Sequence, residues 1–190
     1  MLHKLYPYQR SIVDTMPTRC GLFMDTGTGK TATSLSLISA HKVRHCLVIT
    51  TKSLKANWVR EWNMWVTDKS ISFGVLSKEE FRKYHASLAS YDAVIFDEAH
   101  NAANYKSQIH KAFYAYLSKH KPRCVYLLTA TPIMSSVMSG WGLWRLVAKP
   151  PSFPAFQNKY FYQVKMGARY IPLQRSGIEQ AIATDLRSFG

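Results

Sequence analysis

Two short stretches hold residue types at spacings that could handle a phosphate ester. In "GLFMDTGTGKTATSL", Gly21 to Leu35, two glycines at 27 and 29 stand just ahead of Lys30 and Thr31. Such a turn lets the backbone N–H groups of Thr26, Gly27, Thr28 and Gly29 face phosphate oxygens. Lys30 would then neutralise the β- and γ-phosphates, and Thr31 would offer its hydroxyl to Mg²⁺. Met24 stands where the G-x-x-x-x-G-K-[ST] pattern has its first glycine, a position on the incoming strand. In "DAVIFDEAHNA", Asp97 and Glu98 follow a mostly apolar run. An aspartate there can hold Mg²⁺ through water, and a glutamate can orient and deprotonate an attacking water. Taken singly, each stretch has a plain alternative: a surface turn with a chance lysine, or an exposed acidic turn. Together in one chain they point to a paired site for phosphoryl chemistry.

These groups need elements that deliver them to one place. Short apolar runs at 20–24, 45–50, 71–76, 92–96 and 124–129 predict strands buried on both faces, as in a parallel sheet covered by helices. Helices are expected between them, at about 29–41, 53–66, 78–89 and 106–119. In the second, Leu54, Trp58, Trp62 and Trp65 or Val66 recur at helical spacing, with Ser53 as a possible N-cap. That spacing makes Trp58 and Trp62 core residues before it makes them stacking platforms for bases. The repeated β-α units predict an α/β fold with a doubly wound, mostly parallel sheet flanked by helices, and the two candidate stretches lie at the carboxyl ends of strands, where such sheets bind ligands. A third segment, "LLTATP", ends the last apolar run, where Thr129 and Thr131 offer hydroxyls and Pro132 stops the strand. Beyond it the alternation ceases. Residues 136–190 read as helices and loops packed on the same domain, closing with an amphipathic helix that aligns Ile178, Ile182 and Leu186.

Composition narrows the partners. With 25 Lys and Arg against 11 Asp and Glu, the formal charge is +14, which favours a polyanion. The basic clusters "HKVRH", "KSQIHK" and "SKHKPR" are spread along the chain, as suits a face built from several loops. Three cysteines with no C-x-x-C pair argue against a disulfide framework or zinc site and for buried free thiols. No apolar run approaches a bilayer span, and the opening "MLHKLYPYQRSIVD" lacks the apolar core of a leader, so cytoplasmic residence is expected.

The ordered series "PYQ", "MDTGTGKT", "LVITTKSLKANWVREW", "VIFDEAH" and "LLTATP" resembles the first RecA-like domain of a superfamily two helicase, most of all the Snf-type translocases and their phage and restriction-associated relatives. The resemblance covers residues 1–135 and implies a DEAH-box, P-loop NTPase domain that uses ATP and Mg²⁺ and acts on nucleic acid, DNA before RNA. It implies that Gln9 reads the adenine edge, with Tyr6 or Arg10 in support. It places Gly27, Gly29, Lys30 and Thr31 in the phosphate loop, and Asp97 and Glu98 as the magnesium and water-activating acids. His100 would couple nucleotide state to Thr129 and Thr131. Thr51, Lys52 and Ser53 would touch one strand's phosphates, with Ser77 and Lys78 as weaker contacts. The family's second RecA-like domain, with its γ-phosphate arginine, is not legible in these residues. It is expected in a parent or partner chain, and slow hydrolysis is expected without it. The alternative is a noncatalytic binding module that retains the P-loop as a scaffold.

Overall fold

A computed structural model describes residues 5–131, 138–166 and 169–174. Five strands form one sheet: β1 (Arg19–Phe23), β2 (His45–Thr50), β3 (Ser72–Ser77), β4 (Ala93–Asp97) and β5 (Cys124–Thr129). Every pairing is parallel, in the order β1-β5-β4-β2-β3. Among the described residues the helices are α1 (Pro7–Thr15), α2 (Lys30–Ala40), α3 (Lys55–Trp65), α4 (Lys78–Tyr84), α5 (Gln108–His120), α6 (Met138–Val147) and α7 (Phe153–Tyr160). Two 3₁₀ turns, Lys52–Leu54 and Ala99–Ala102, follow β2 and β4.

The apolar runs form strands because both of their faces are covered. Alternate residues of β2, β4 and β5 (Cys46 and Val48, Ala93 and Ile95, Tyr126 and Leu128) share a core with Leu35 and Ile38 of α2 and Trp58 and Trp62 of α3. The intervening residues, such as Ile49, Phe96 and Leu127, pack with Phe81 of α4, Phe113 and Leu117 of α5, and Leu143 and Leu146 of α6. All six residues of β5 are buried, as a central parallel strand requires. Cys20, Cys46 and Cys124 are free and buried in the first of these cores. Burial pushes the Cys20 thiol up to about 12, so these thiols act as small apolar groups.

Several local expectations are corrected. Ser53 does not cap α3: it lies inside the 3₁₀ turn, and Leu54 occupies the cap position with no side-chain bond. Helix α4 ends at Tyr84 rather than near 89, because the N–H and hydroxyl of Ser87 both bond the Tyr84 carbonyl in a tight turn. After β5, α6 packs backbone to backbone on the second 3₁₀ turn, where a Cβ at Gly142 would come within 1.8 Å of the Ala103 carbonyl oxygen. Arg19 pins the end of α6 by donating to the carbonyls of Leu146, Val147 and Pro122. Where only helices and loops were expected, β6 (Phe161–Met166) and β7 (Arg169–Gln174) form an antiparallel hairpin. Pro132 and the closing helix expected around Ile178, Ile182 and Leu186 lie outside the described residues.

Candidate nucleotide site

The glycine turn leaves the carboxyl end of β1 and enters α2. Gly27 and Gly29 have φ of 80° and 79°, a left-handed conformation that glycine adopts without a Cβ clash. Gly29 is the N-cap of α2 and supplies no side-chain cap, so the first-turn N–H groups of that helix remain directed at the loop. Lys30 Nζ donates to the carbonyls of Met24 (2.9 Å) and Asp25 (3.0 Å), which folds the lysine back under the turn. The Thr28 hydroxyl closes the same turn on the Asp25 carbonyl at 2.6 Å. Met24 sits one residue past β1, half-buried on the first core. Its place needs no glycine.

Helix α1 is tied to this loop by Gln9, which is 4% exposed. Its amide donates to the Thr28 carbonyl at 3.0 Å and accepts from the Tyr6 N–H at 2.9 Å, while the Tyr8 hydroxyl bonds the same Thr28 carbonyl. A Cβ at Gly29 would lie 2.3 Å from the Gln9 side-chain nitrogen, whereas one at Gly27 would meet nothing within 4 Å. The Gly27 side of the loop is its open side.

The acidic pair leaves β4, two strands from β1, about 10 Å away at ordinary strand spacing. Phe23 is level with Thr129, and Leu128 with Asp97, so the loop, Thr129 and the acids leave the sheet at one height. Asp97 is 9% exposed and heavily bonded. One carboxylate oxygen accepts from the Thr50 hydroxyl and the Trp58 indole N–H, each at 2.9 Å, and the other from the Glu98 N–H at 2.9 Å. Glu98 has φ of 50°, a left-handed conformation that a residue with a Cβ adopts at a cost of about 1–3 kcal/mol. The turn is held by Lys78 Nζ and Asn101 Nδ2, which donate to the Glu98 carbonyl at 3.3 and 2.9 Å. Burial lowers the Lys78 pKa, opposed by the carboxylates of Asp97 and Glu98. His100 Nδ1 lies 3.1 Å from a Glu98 carboxylate oxygen and 3.2 Å from the Thr129 hydroxyl, which in turn accepts from the Thr131 N–H at 3.1 Å. The histidine, the glutamate and the two threonines form one connected set.

Of the residues expected at nucleic-acid phosphates, Lys52 and Ser53 are exposed and Thr51 half-buried, with the Thr51 and Ser53 hydroxyls 3.3 Å apart. Ser77 is buried, and its hydroxyl accepts the Glu80 N–H as the N-cap of α4, while Glu80 bonds back to the Ser77 N–H. That reciprocal cap was legible as S-x-x-E in "SKEE". Lys78 is likewise turned inward. Trp58 and Trp62 are core residues, and Trp62 stacks on Phe73 with ring centroids 4.2 Å apart. Sequence reasoning missed Thr50, Asn101 and the indole N–H of Trp58 as supports of the acidic turn; no local pattern announces them. The clusters "HKVRH" and "SKHKPR" meet at the opposite, amino edge of the sheet, where Arg123 donates to the His41 and Lys42 carbonyls.

The donor set fits a magnesium nucleotide. A left-handed glycine turn at an uncapped helix N-terminus, with a lysine beneath it, suits phosphates. Mg²⁺ is usually held by one or two carboxylates together with substrate phosphates. Asp97 is one such carboxylate on this edge, and no cluster of three or more His, Cys, Asp or Glu is found among the described residues.

An all-parallel five-stranded sheet flanked by helices, with this turn after β1 and these acids after β4, defines a RecA-like fold. The chain belongs to the family described as type III restriction enzyme, res subunit, whose model matches residues 2–134. It is 28% identical over 164 residues to "Transcript termination protein A18" of Yaba-like disease virus, covering 70% of this chain and 34% of that protein. It is 30% identical over 151 residues to "Helicase ssl-1" of Caenorhabditis elegans, covering 63% of this chain and 6% of that protein. The Sulfolobus solfataricus SWI2/SNF2 ATPase core, solved in complex with dsDNA, shares the fold with a TM-score of 0.73 at 22% identity, over 98% of this chain and 44% of that one. The chain thus spans about a third of the viral relative's length. Among the described residues no helix is long and apolar enough to cross a membrane.

Proposed function

We propose that this chain is the ATP-binding half of a DNA-dependent ATPase that couples hydrolysis to movement along nucleic acid. The observation that carries the reading is the joint placement of the left-handed Gly27–Gly29 turn, the Asp97–Glu98 pair and Thr129 at one height on one sheet edge. The N–H groups of Thr26, Gly27, Thr28 and Gly29 and of the first turn of α2 receive phosphate oxygens. Lys30 exchanges the carbonyls of Met24 and Asp25 for the β- and γ-phosphates. Thr31 and Asp97 would hold Mg²⁺, the aspartate through water. When bound, the ion neutralises charge that develops on the phosphates. Glu98 orients the attacking water and takes its proton, and its left-handed turn, fixed by Lys78 and Asn101, presents the carboxylate to it. Gln9 uses one N–H and one lone pair within the chain, and the remaining N–H and lone pair match an adenine edge. His100 passes the state of Glu98 to Thr129 and Thr131. Thr51, Lys52 and Ser53 take phosphates of one nucleic-acid strand.

Titration with a fluorescent ATP analogue and Mg²⁺ tests the reading. Binding that Lys30→Ala abolishes is expected, together with duplex-DNA binding that weakens steeply as salt rises. Equal nucleotide affinity in wild type and Lys30→Ala would instead leave a scaffold module. DNA binding that is absent or indifferent to salt would remove nucleic acid as the partner.

A further inference from the structure

The acidic turn carries supports that hydrolysis by itself does not explain. Thr50 is the last residue of β2, and Trp58 lies in the first turns of α3. Both donate to the same Asp97 oxygen, at 2.9 Å each. Residues 51–57, a 3₁₀ turn running into the first turn of α3, therefore form a short connection, called the loop below, whose two ends hang from one carboxylate oxygen. The exposed part of that loop contains Lys52 and Ser53, two of the residues proposed to take nucleic-acid phosphates. Further along, Lys55 Nζ bonds Glu80 at 2.7 Å, and the same Glu80 oxygen accepts the Ser77 N–H, which anchors the loop to the capped start of α4. Thr50 and Trp58 are essentially fully buried, so their bonds to Asp97 act at low dielectric and without competing water.

We infer that Thr50 and Trp58 are positioning residues that couple nucleic-acid contact at residues 51–53 to the magnesium-holding carboxylate of Asp97. This rests on the function proposed above. A phosphate drawn onto Thr51, Lys52 and Ser53 shifts the 3₁₀ turn, and Lys55, bonded to Glu80, resists displacement of the loop away from α4. The shift then falls on the loop's two ends, and both ends set the position of one Asp97 oxygen. A buried tryptophan that simply finds a partner for its N–H would account for Trp58 alone. It does not account for two donors from opposite ends of a nucleic-acid-facing loop converging on the same atom.

Coupling of this kind is a ratio of affinities and is reciprocal between the two ligands. The full chain is titrated with a fluorescent ATP analogue and Mg²⁺, with and without saturating short duplex DNA, in wild type, Trp58→Phe, Thr50→Val and Thr50→Ser. Phenylalanine and valine keep most of the buried volume and remove only the donor, and thermal unfolding of each variant reports whether the fold is intact. Wild type should bind the nucleotide more tightly with DNA, within the usual range of about 5- to 150-fold. Trp58→Phe and Thr50→Val should bring the ratio close to one, while Thr50→Ser restores it. A ratio unchanged in both donor-deleted variants, including one preserved while nucleotide affinity drops equally with and without DNA, overturns the inference and leaves the proposed function standing. A wild-type ratio of one does the same. Wild type that binds no magnesium nucleotide brings down the proposed function and this inference with it.

Discussion

Gly27 and Gly29 have nearly the same backbone angle and are still not equivalent residues. An alanine at either position carries the left-handed penalty of about 1–2 kcal/mol. At Gly27 the added methyl points into open space. At Gly29 it would strike the Gln9 side-chain nitrogen and break the tie from α1 to the Thr28 carbonyl. Urea unfolding should therefore show Gly29→Ala to be less stable than Gly27→Ala, and equal losses would mean that Gln9 does not pack on the loop as described. Both glycines were legible as a phosphate turn; only Gln9's seat on Gly29 was not, because the partners are 20 residues apart with no pattern joining them. Glu98 shows the opposite economy. A left-handed conformation at a glutamate is tolerated where its carbonyl is held by Lys78 and Asn101, and backbone strain of this kind gathers at functional sites.

Among the elements, α4 shows how a cap and a candidate contact can compete for the same side chain. Ser77→Ala removes the acceptor for the Glu80 N–H and should cost about 0.5–2 kcal/mol, measured by denaturant unfolding. The bond from Lys55, and then that from the Ser77 N–H, hold the Glu80 carboxyl far below its ordinary 4.5, at about 2. The unfolded chain takes up this proton first as the pH falls. The contribution of Glu80 is thus complete above about pH 4.5 and is lost between there and about pH 2. Glu80→Gln should flatten the unfolding midpoint over that acid window, and a profile that falls as steeply as wild type would show that the cap is not what titrates. The capping box was readable from S-x-x-E. That the Ser77 hydroxyl is buried in this cap was decided only by the tertiary structure.

For the whole molecule, the sheet edge gathers groups from β1, β4 and β5, and the proposed function expects a second RecA-like half to add an arginine at the γ-phosphate. An arginine of that kind is worth about 10³–10⁵ in turnover. If the proposed function holds, the 190-residue chain alone should hydrolyse ATP very slowly, with a rise of that order when a second RecA-like half is supplied and with Glu98→Gln remaining inactive while still binding nucleotide. Rapid DNA-stimulated turnover by the chain alone would contradict it. The sequence by itself determined the five strands of the parallel sheet, the helices between them, the glycine turn and the acidic pair, because these depend on local properties: apolar runs, 3.6-residue spacing, and residue types at fixed short offsets. It also determined that Trp58 and Trp62 belong to the core. Only the tertiary structure decided that β5 would lie between β1 and β4 in the order β1-β5-β4-β2-β3, and that Thr50 and Trp58 would meet on Asp97. Those contacts join residues 47 and 39 positions apart. They follow from which strands become neighbours when two apolar faces are covered at once, a global packing condition that no short stretch of chain encodes.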